Sequence, residues 1–129
     1  MQYHRPPGAV EFDDAGLRDA PGLAIRGEVD INSAEPLEAA LDAAIRESVG
    51  AFVIDLSELE FIDSTGLHVL LRARGLLGRE DRALALVCPH GPVRRVFELS
   101  GLSEQFALYG SREEIAAALV PAPPQQGRD

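Results

Sequence analysis

The chain is poor in cysteine, poor in basic residues and without long apolar runs. Cys88 is the only cysteine, so neither an intramolecular disulfide nor a zinc cluster built on cysteines can form. A reducing cytosol is the simplest setting for such a chain. Lys and Arg number 12 against 21 Asp and Glu, giving a formal net charge of -9. That balance argues against a nucleic-acid partner, because phosphate backbones are bound through Lys and Arg. It argues equally against an anionic membrane surface, and it suits a basic protein partner. No segment approaches the roughly 18 apolar residues of a membrane span. The opening residues hold no apolar run of the signal-peptide kind. The expectation is a soluble, cytoplasmic protein with no cofactor, no metal, no nucleic acid and no membrane contact.

What is present fits one domain. A chain of 129 residues with 46% apolar content builds one core rather than two. Residues 1–8 hold Pro6, Pro7 and Gly8 and read as a flexible lead-in. Residues 121–129 (PAPPQQGRD) read as a disordered Pro-rich tail. The domain proper is expected over 9–120, without internal repeats.

Residues 9–14 form a weak strand candidate, and 23–29 (LAIRGEV) a better one, bounded by turn residues on both sides. The short gap between them implies a hairpin. Ser33 is placed to cap a helix with Pro36 in its first turn. Leu37, Ala40, Leu41, Ala44 and Ile45 then form one apolar stripe, and Gly50 is expected to close the helix. Residues 51–56 (AFVIDL) are apolar except for Asp55, as suits a central strand covered on both faces. A polar loop is expected over 57–60. A second helix follows from Ser64 to about Leu77, then a buried strand at 83–87 and a third helix opened by Pro92. A short edge strand is expected at 106–109, and a last helix is capped by Ser111. Strands alternating with helices give right-handed crossovers and a parallel sheet. The leading hairpin would add an antiparallel edge strand. The expected fold is therefore α/β: a mixed sheet of four to five strands with four helices.

The segment 55–71, DLSELEFIDSTGLHVLL, carries the chemistry. It runs from a buried strand, through a polar loop and the apolar pair Phe61-Ile62, into a helix opened by Asp63-Ser64-Thr65-Gly66. That order puts Ser64 at or beside a helix N-terminus, near the C-terminal edge of the sheet, where open α/β sheets bind ligands. Free N–H groups and the positive dipole end can hold a phosphate there, bound or covalent. A phosphoserine brings about -1.5 to -2 charges, enough to break a complex if the neighbouring surface docks a partner. Ser64 and Asp63 read equally as plain helix caps, and the two roles are compatible.

These residues resemble a known family. FVIDLSELEFIDSTGL is similar to the signature of the STAS domain, the module shared by sulfate transporters and anti-sigma factor antagonists. GEVDINSAE resembles that family's second strand and the loop into its first helix. ALALVCPHGPVRRVFELSGL resembles its fourth strand and third helix. The resemblance spans roughly 10–119 and implies an STAS-like fold and a non-enzymatic regulator. It implies that Ser64 is phosphorylated by an anti-sigma factor that is itself a serine kinase. The unphosphorylated form would bind that anti-sigma factor and release a sigma factor, and a serine phosphatase would restore binding. Partner-binding positions by match are Asp30, Asn32, Asp63, Ser64, Thr65 and Gly66. Thr65, standing where many relatives have a second serine, is the second-choice acceptor. A lone STAS domain without a membrane span argues against the transporter branch. The alternative reading is an STAS scaffold subunit of a stress-signalling or lipid-transport complex without phospho-switching.

Other reactive side chains are not promoted. His68 lies one turn after Ser64, but a nucleophile-base pair needs an orienting group and an oxyanion hole, and the Gly-x-Ser-x-Gly elbow is absent. Cys88 reads as an inert core thiol. His90 has no second ligand in view. Arg94 and Arg95 read as a solvated helix face or, less simply, as partner contacts.

Overall fold

The structure, a computed structural model, describes residues 11–14 and 20–119. The lead-in, the start of the first strand, most of the turn after it and the tail lie outside the described residues. The elements are β1 (Glu11–Asp14), β2 (Gly22–Val29), α1 (Ala34–Arg46), β3 (Phe52–Asp55), β4 (Leu59–Ile62) and α2 (Ser64–Gly78). They continue with β5 (Leu84–Val87), α3 (Pro92–Leu99), a 3-10 turn (Leu102–Glu104), β6 (Ala107–Tyr109) and α4 (Arg112–Leu119). The sheet order is β1-β2-β3-β5-β6, and β4 also pairs with β2. All neighbours run parallel except β1, which lies antiparallel to β2 with Glu11 opposite Arg26.

Three expectations change. The stretch 57–60 is not wholly a polar loop, since Leu59 and Glu60 begin β4, and the described strands number six rather than four or five. The cause lies in β2. Its first half pairs with β3 and its second half, from Gly27, with β4. Without β4 the backbone groups on that edge of the second half would lack ladder partners among the described residues. The register shifts between Gly27 and Glu28, where Gly27 takes φ 94, a left-handed conformation that glycine adopts cheaply at a bulge. Helix α1 also stops earlier than expected, at Arg46, and Gly50 (φ 83) belongs to the turn into β3. Arg82 secures that end of α1: its guanidinium donates to the carbonyls of Ile45 (2.9 Å) and Gly50 (2.7 Å) and to Ser48 Oγ (2.9 Å).

The sheet separates two cores of unequal size. On one face Leu23, Ile25, Phe52, Ile54 and Leu86 pack with the apolar stripes of α1, α2 and α3. On the other, Val53, Ala85 and Val87 meet Ile115 of α4. The alternation along β3 is the period-2 rule at work: Phe52 and Ile54 face the large core, Val53 and Asp55 the small one.

Gly66 fixes how closely α2 approaches the sheet. A Cβ there would stand 2.6 Å from Val29 Cγ1 and 2.7 Å from Ile62 Cγ1. Gly66→Ala is expected to destabilise the fold, since overpacking of about 1–3 kcal/mol exceeds a helix-propensity gain of at most about 1 kcal/mol. The urea midpoint should fall at constant m-value.

Candidate functional site

The C-terminal ends of β2 and β4 meet at one edge of the sheet. Val29 is opposite Ile62, and the Asp63 N–H donates to the Val29 carbonyl at 3.2 Å. This pairing brings the turn after β2 beside the start of α2. Asp30, Asn32, Asp63, Ser64, Thr65 and Gly66, two groups separated by thirty residues of sequence, therefore converge on one edge.

Each part is locally determined. The turn after β2 is held by its own side chains. Asp30 Oδ1 accepts from the Asn32 N–H (2.9 Å), and Ser33 Oγ accepts from the Asp30 N–H (2.9 Å) while donating to the Glu28 carbonyl (3.2 Å). Ser33 thus occupies the cap position of α1 without capping it through its side chain. At α2 the cap is Asp63, whose carboxylate accepts from the Gly66 N–H at 3.1 Å. Such a bond stabilises a helix by about 1 kcal/mol. Because Asp63 fills that role, Ser64 becomes the first residue of the helix and is exposed. Thr65 is half-buried and Gly66 buried. Phe61 on β4 and Ile31 in the turn are both exposed, 47% and 72%.

A buried carboxylate, unassigned by the sequence reading, braces the approach to β4. Asp55 ends β3 only 4% exposed. Its Oδ1 accepts from the Ser57 N–H (2.8 Å) and Ser57 Oγ (2.6 Å), and its Oδ2 is paired with Arg112 at the start of α4. The only signal in the sequence was a lone charge within AFVIDL. Burial alone would raise its pKa, but the two Ser57 hydrogen bonds and the Arg112 guanidinium outweigh it and hold the carboxyl below its ordinary value. A depressed folded pKa contributes stability that is full above the unfolded value of 3.8. That stability is lost as pH falls from there through the folded pKa. Asp55→Asn should therefore be less stable than the parent at neutral pH, and the gap should narrow in acid. Urea midpoints measured from neutral pH down to about pH 3 read this directly.

The remaining candidates are the two histidines, Cys88 and the arginines of α3. His68 and His90 are exposed, and among the described residues no group of His, Cys, Asp or Glu is arranged to hold a metal ion. Cys88 is buried, and burial pushes its thiol up to about 11, which keeps it protonated and unreactive at neutral pH. Arg94 departs from the expected solvated face: it is half-buried and donates to the Cys88 carbonyl at 2.8 Å, whereas Arg95 is exposed. No described helix is long and apolar enough to cross a membrane.

Known proteins are similar to this chain in sequence and fold. The family profile described as the STAS domain matches residues 16–115. BtrV of Bordetella bronchiseptica is 39% identical over 103 residues, covering 78% of this chain and 87% of its own. The anti-sigma-F factor antagonist RsfB of Mycobacterium tuberculosis is 34% identical over 105 residues, covering 81% and 85%. Among solved structures, an anti-sigma factor antagonist from Mycobacterium paratuberculosis superposes with a TM-score of 0.79 at 31% identity, covering 88% of this chain and 96% of that one. With most of its length matched by the family profile and by these relatives, the chain belongs to the STAS domain family.

Proposed function

We propose that this chain is an anti-sigma factor antagonist, a cytoplasmic binding protein rather than an enzyme, and that Ser64 is its switch. Unphosphorylated, it binds an anti-sigma factor and frees a sigma factor. Phosphorylation of Ser64 by that anti-sigma factor, acting as a serine kinase, ends the binding, and a serine phosphatase restores it. Asp30, Asn32, Asp63, Thr65 and Gly66 form the surrounding contact surface. The observation that carries this reading is the position of Ser64. It is exposed at the first turn of a fifteen-residue helix, and its neighbour Asp63 supplies the cap. A kinase can reach it, and the added phosphate meets free N–H groups and the positive end of the helix dipole. The relatives named as anti-sigma factor antagonists support the binding role.

The test is chemical. The chain is incubated with the anti-sigma serine kinase encoded in its own genome and ATP, and the phosphate is mapped by mass spectrometry. It is expected on Ser64, with Thr65 unmodified. Phosphate on neither residue, in vitro or in protein isolated from cells, would favour a scaffold subunit that never meets a kinase.

A further inference from the structure

The two segments that meet at the Ser64 edge carry exposed apolar side chains among several carboxylates. Ile31 and Phe61 are two of only four large apolar side chains that the described residues leave strongly exposed. Both lie on the paired segments that form the Ser64 edge. Phe61 is opposite Glu28 in the β2–β4 ladder, and Ile31 follows Val29, the partner of Ile62, by two residues. The same two segments, 28–35 and 58–66, carry Glu28, Asp30, Glu35, Glu58, Glu60 and Asp63 and not one Lys or Arg. Little packing within the fold explains Ile31 at 72% exposure. An apolar centre within a polar rim is the anatomy of a protein-binding patch.

We infer that Ile31 and Phe61 are the dry centre of the docking surface for the anti-sigma factor, whose matching face is an apolar protrusion ringed by Arg and Lys. The inference rests on the function proposed above and adds how the switch works. Carboxylates this numerous attract a basic partner from a distance, so a phosphate on Ser64 strengthens that long-range attraction rather than opposing it. Its inhibition is therefore local. A dianion beside Ile31 and Phe61 would have to shed its water for the apolar contact to close. Phosphorylation blocks binding by keeping this centre wet, not by charge repulsion.

Binding of the purified chain to its anti-sigma factor, followed by calorimetry, tests both halves. Ile31→Ser and Phe61→Ser should each weaken the unphosphorylated complex by about tenfold or more, as truncated hot-spot residues do, with thermal unfolding unchanged. Val49→Ser, which removes a still more exposed apolar side chain (83%) elsewhere, should do nothing. Raising salt from about 0.05 M to about 0.5 M shortens the screening length severalfold. The unphosphorylated complex should weaken, while the deficit caused by phosphate on Ser64 holds or widens. A deficit that shrinks with salt would mean repulsion and overturn the switching mechanism. Ile31 and Phe61 variants that bind like Val49→Ser would overturn the docking surface while leaving Ser64 as the switch. Loss of a dimer of the chain itself in those variants, with anti-sigma binding intact, would make a second copy the occupant and overturn the proposal. Dependence on Ile31 and Phe61 with indifference to Ser64 substitution would retain the surface and overturn the function proposed above.

Discussion

Ser64→Glu is expected to bind the anti-sigma factor at least about a hundredfold more weakly than the parent chain, and Ser64→Ala to bind it whether or not ATP is present. A hundredfold loss is about 2.7 kcal/mol, which one desolvated, mispaired charge can supply. The substitution is clean because Ser64 is exposed and does not serve as the helix cap. Asp63 retains its bond to the Gly66 N–H in either variant. A carboxylate in the first turn of α2 also interacts favourably with the dipole, by about 0.3–1 kcal/mol. Ser64→Glu should therefore be as stable as the parent or slightly more so. Calorimetric binding together with a urea titration separates the two effects: lost affinity with intact stability supports the switch. Wild-type affinity in both variants would remove Ser64 from the mechanism. Thr65→Val, at a half-buried neighbour, should leave the ATP response in place.

Phe97→Ala is expected to produce the largest loss of stability, about 3–5 kcal/mol, as deletion of a buried aromatic ring usually does. Phe97 is wholly buried and meets the Phe106 ring edge-to-face at 5.5 Å. Helix α3 has eight residues and buries only Val93 and Phe97, so removing the ring takes away much of its attachment. The consequence reaches the site, since α3 packs against β4, the strand that leads into Asp63 and Ser64. A urea midpoint that falls sharply at constant m-value supports this account, whereas a loss below about 1 kcal/mol would show that the cavity collapses and that α3 is held by something else.

Helices were legible because their signals are local. The apolar stripe of α1, Pro92 at the start of α3 and Ser111 before α4 all marked elements that the fold contains, and Ser111 Oγ accepts from the Glu114 N–H at 3.2 Å. Strand β4 was not legible. Its burial runs buried, exposed, exposed, buried, so neither strict alternation nor a continuous apolar run flags it, and only its pairing with the far half of β2 defines it. Asp55 stood in plain view as the lone charge of a buried strand. Its partner Arg112 lies fifty-seven residues away, a distance that no local pattern bridges. Arg94 was misread for a different reason: its spacing on α3 is that of a surface residue, and the side chain folds back to the Cys88 carbonyl six residues earlier, before the helix begins.

By itself the sequence determined the four helices, every strand but β4, the order of these elements, the acidic charge and the chain position of Ser64 at the head of a helix. These follow from periodicity, capping chemistry and charge, which act over a few residues. The tertiary structure alone decided that residues 28–35 and 58–66 form a single edge, that Asp63 rather than Ser64 caps the helix, and that Ile31 and Phe61 remain uncovered beside it. Those outcomes depend on strand pairing and burial between distant segments, where free energy is set by what the fold brings together rather than by what the chain places side by side.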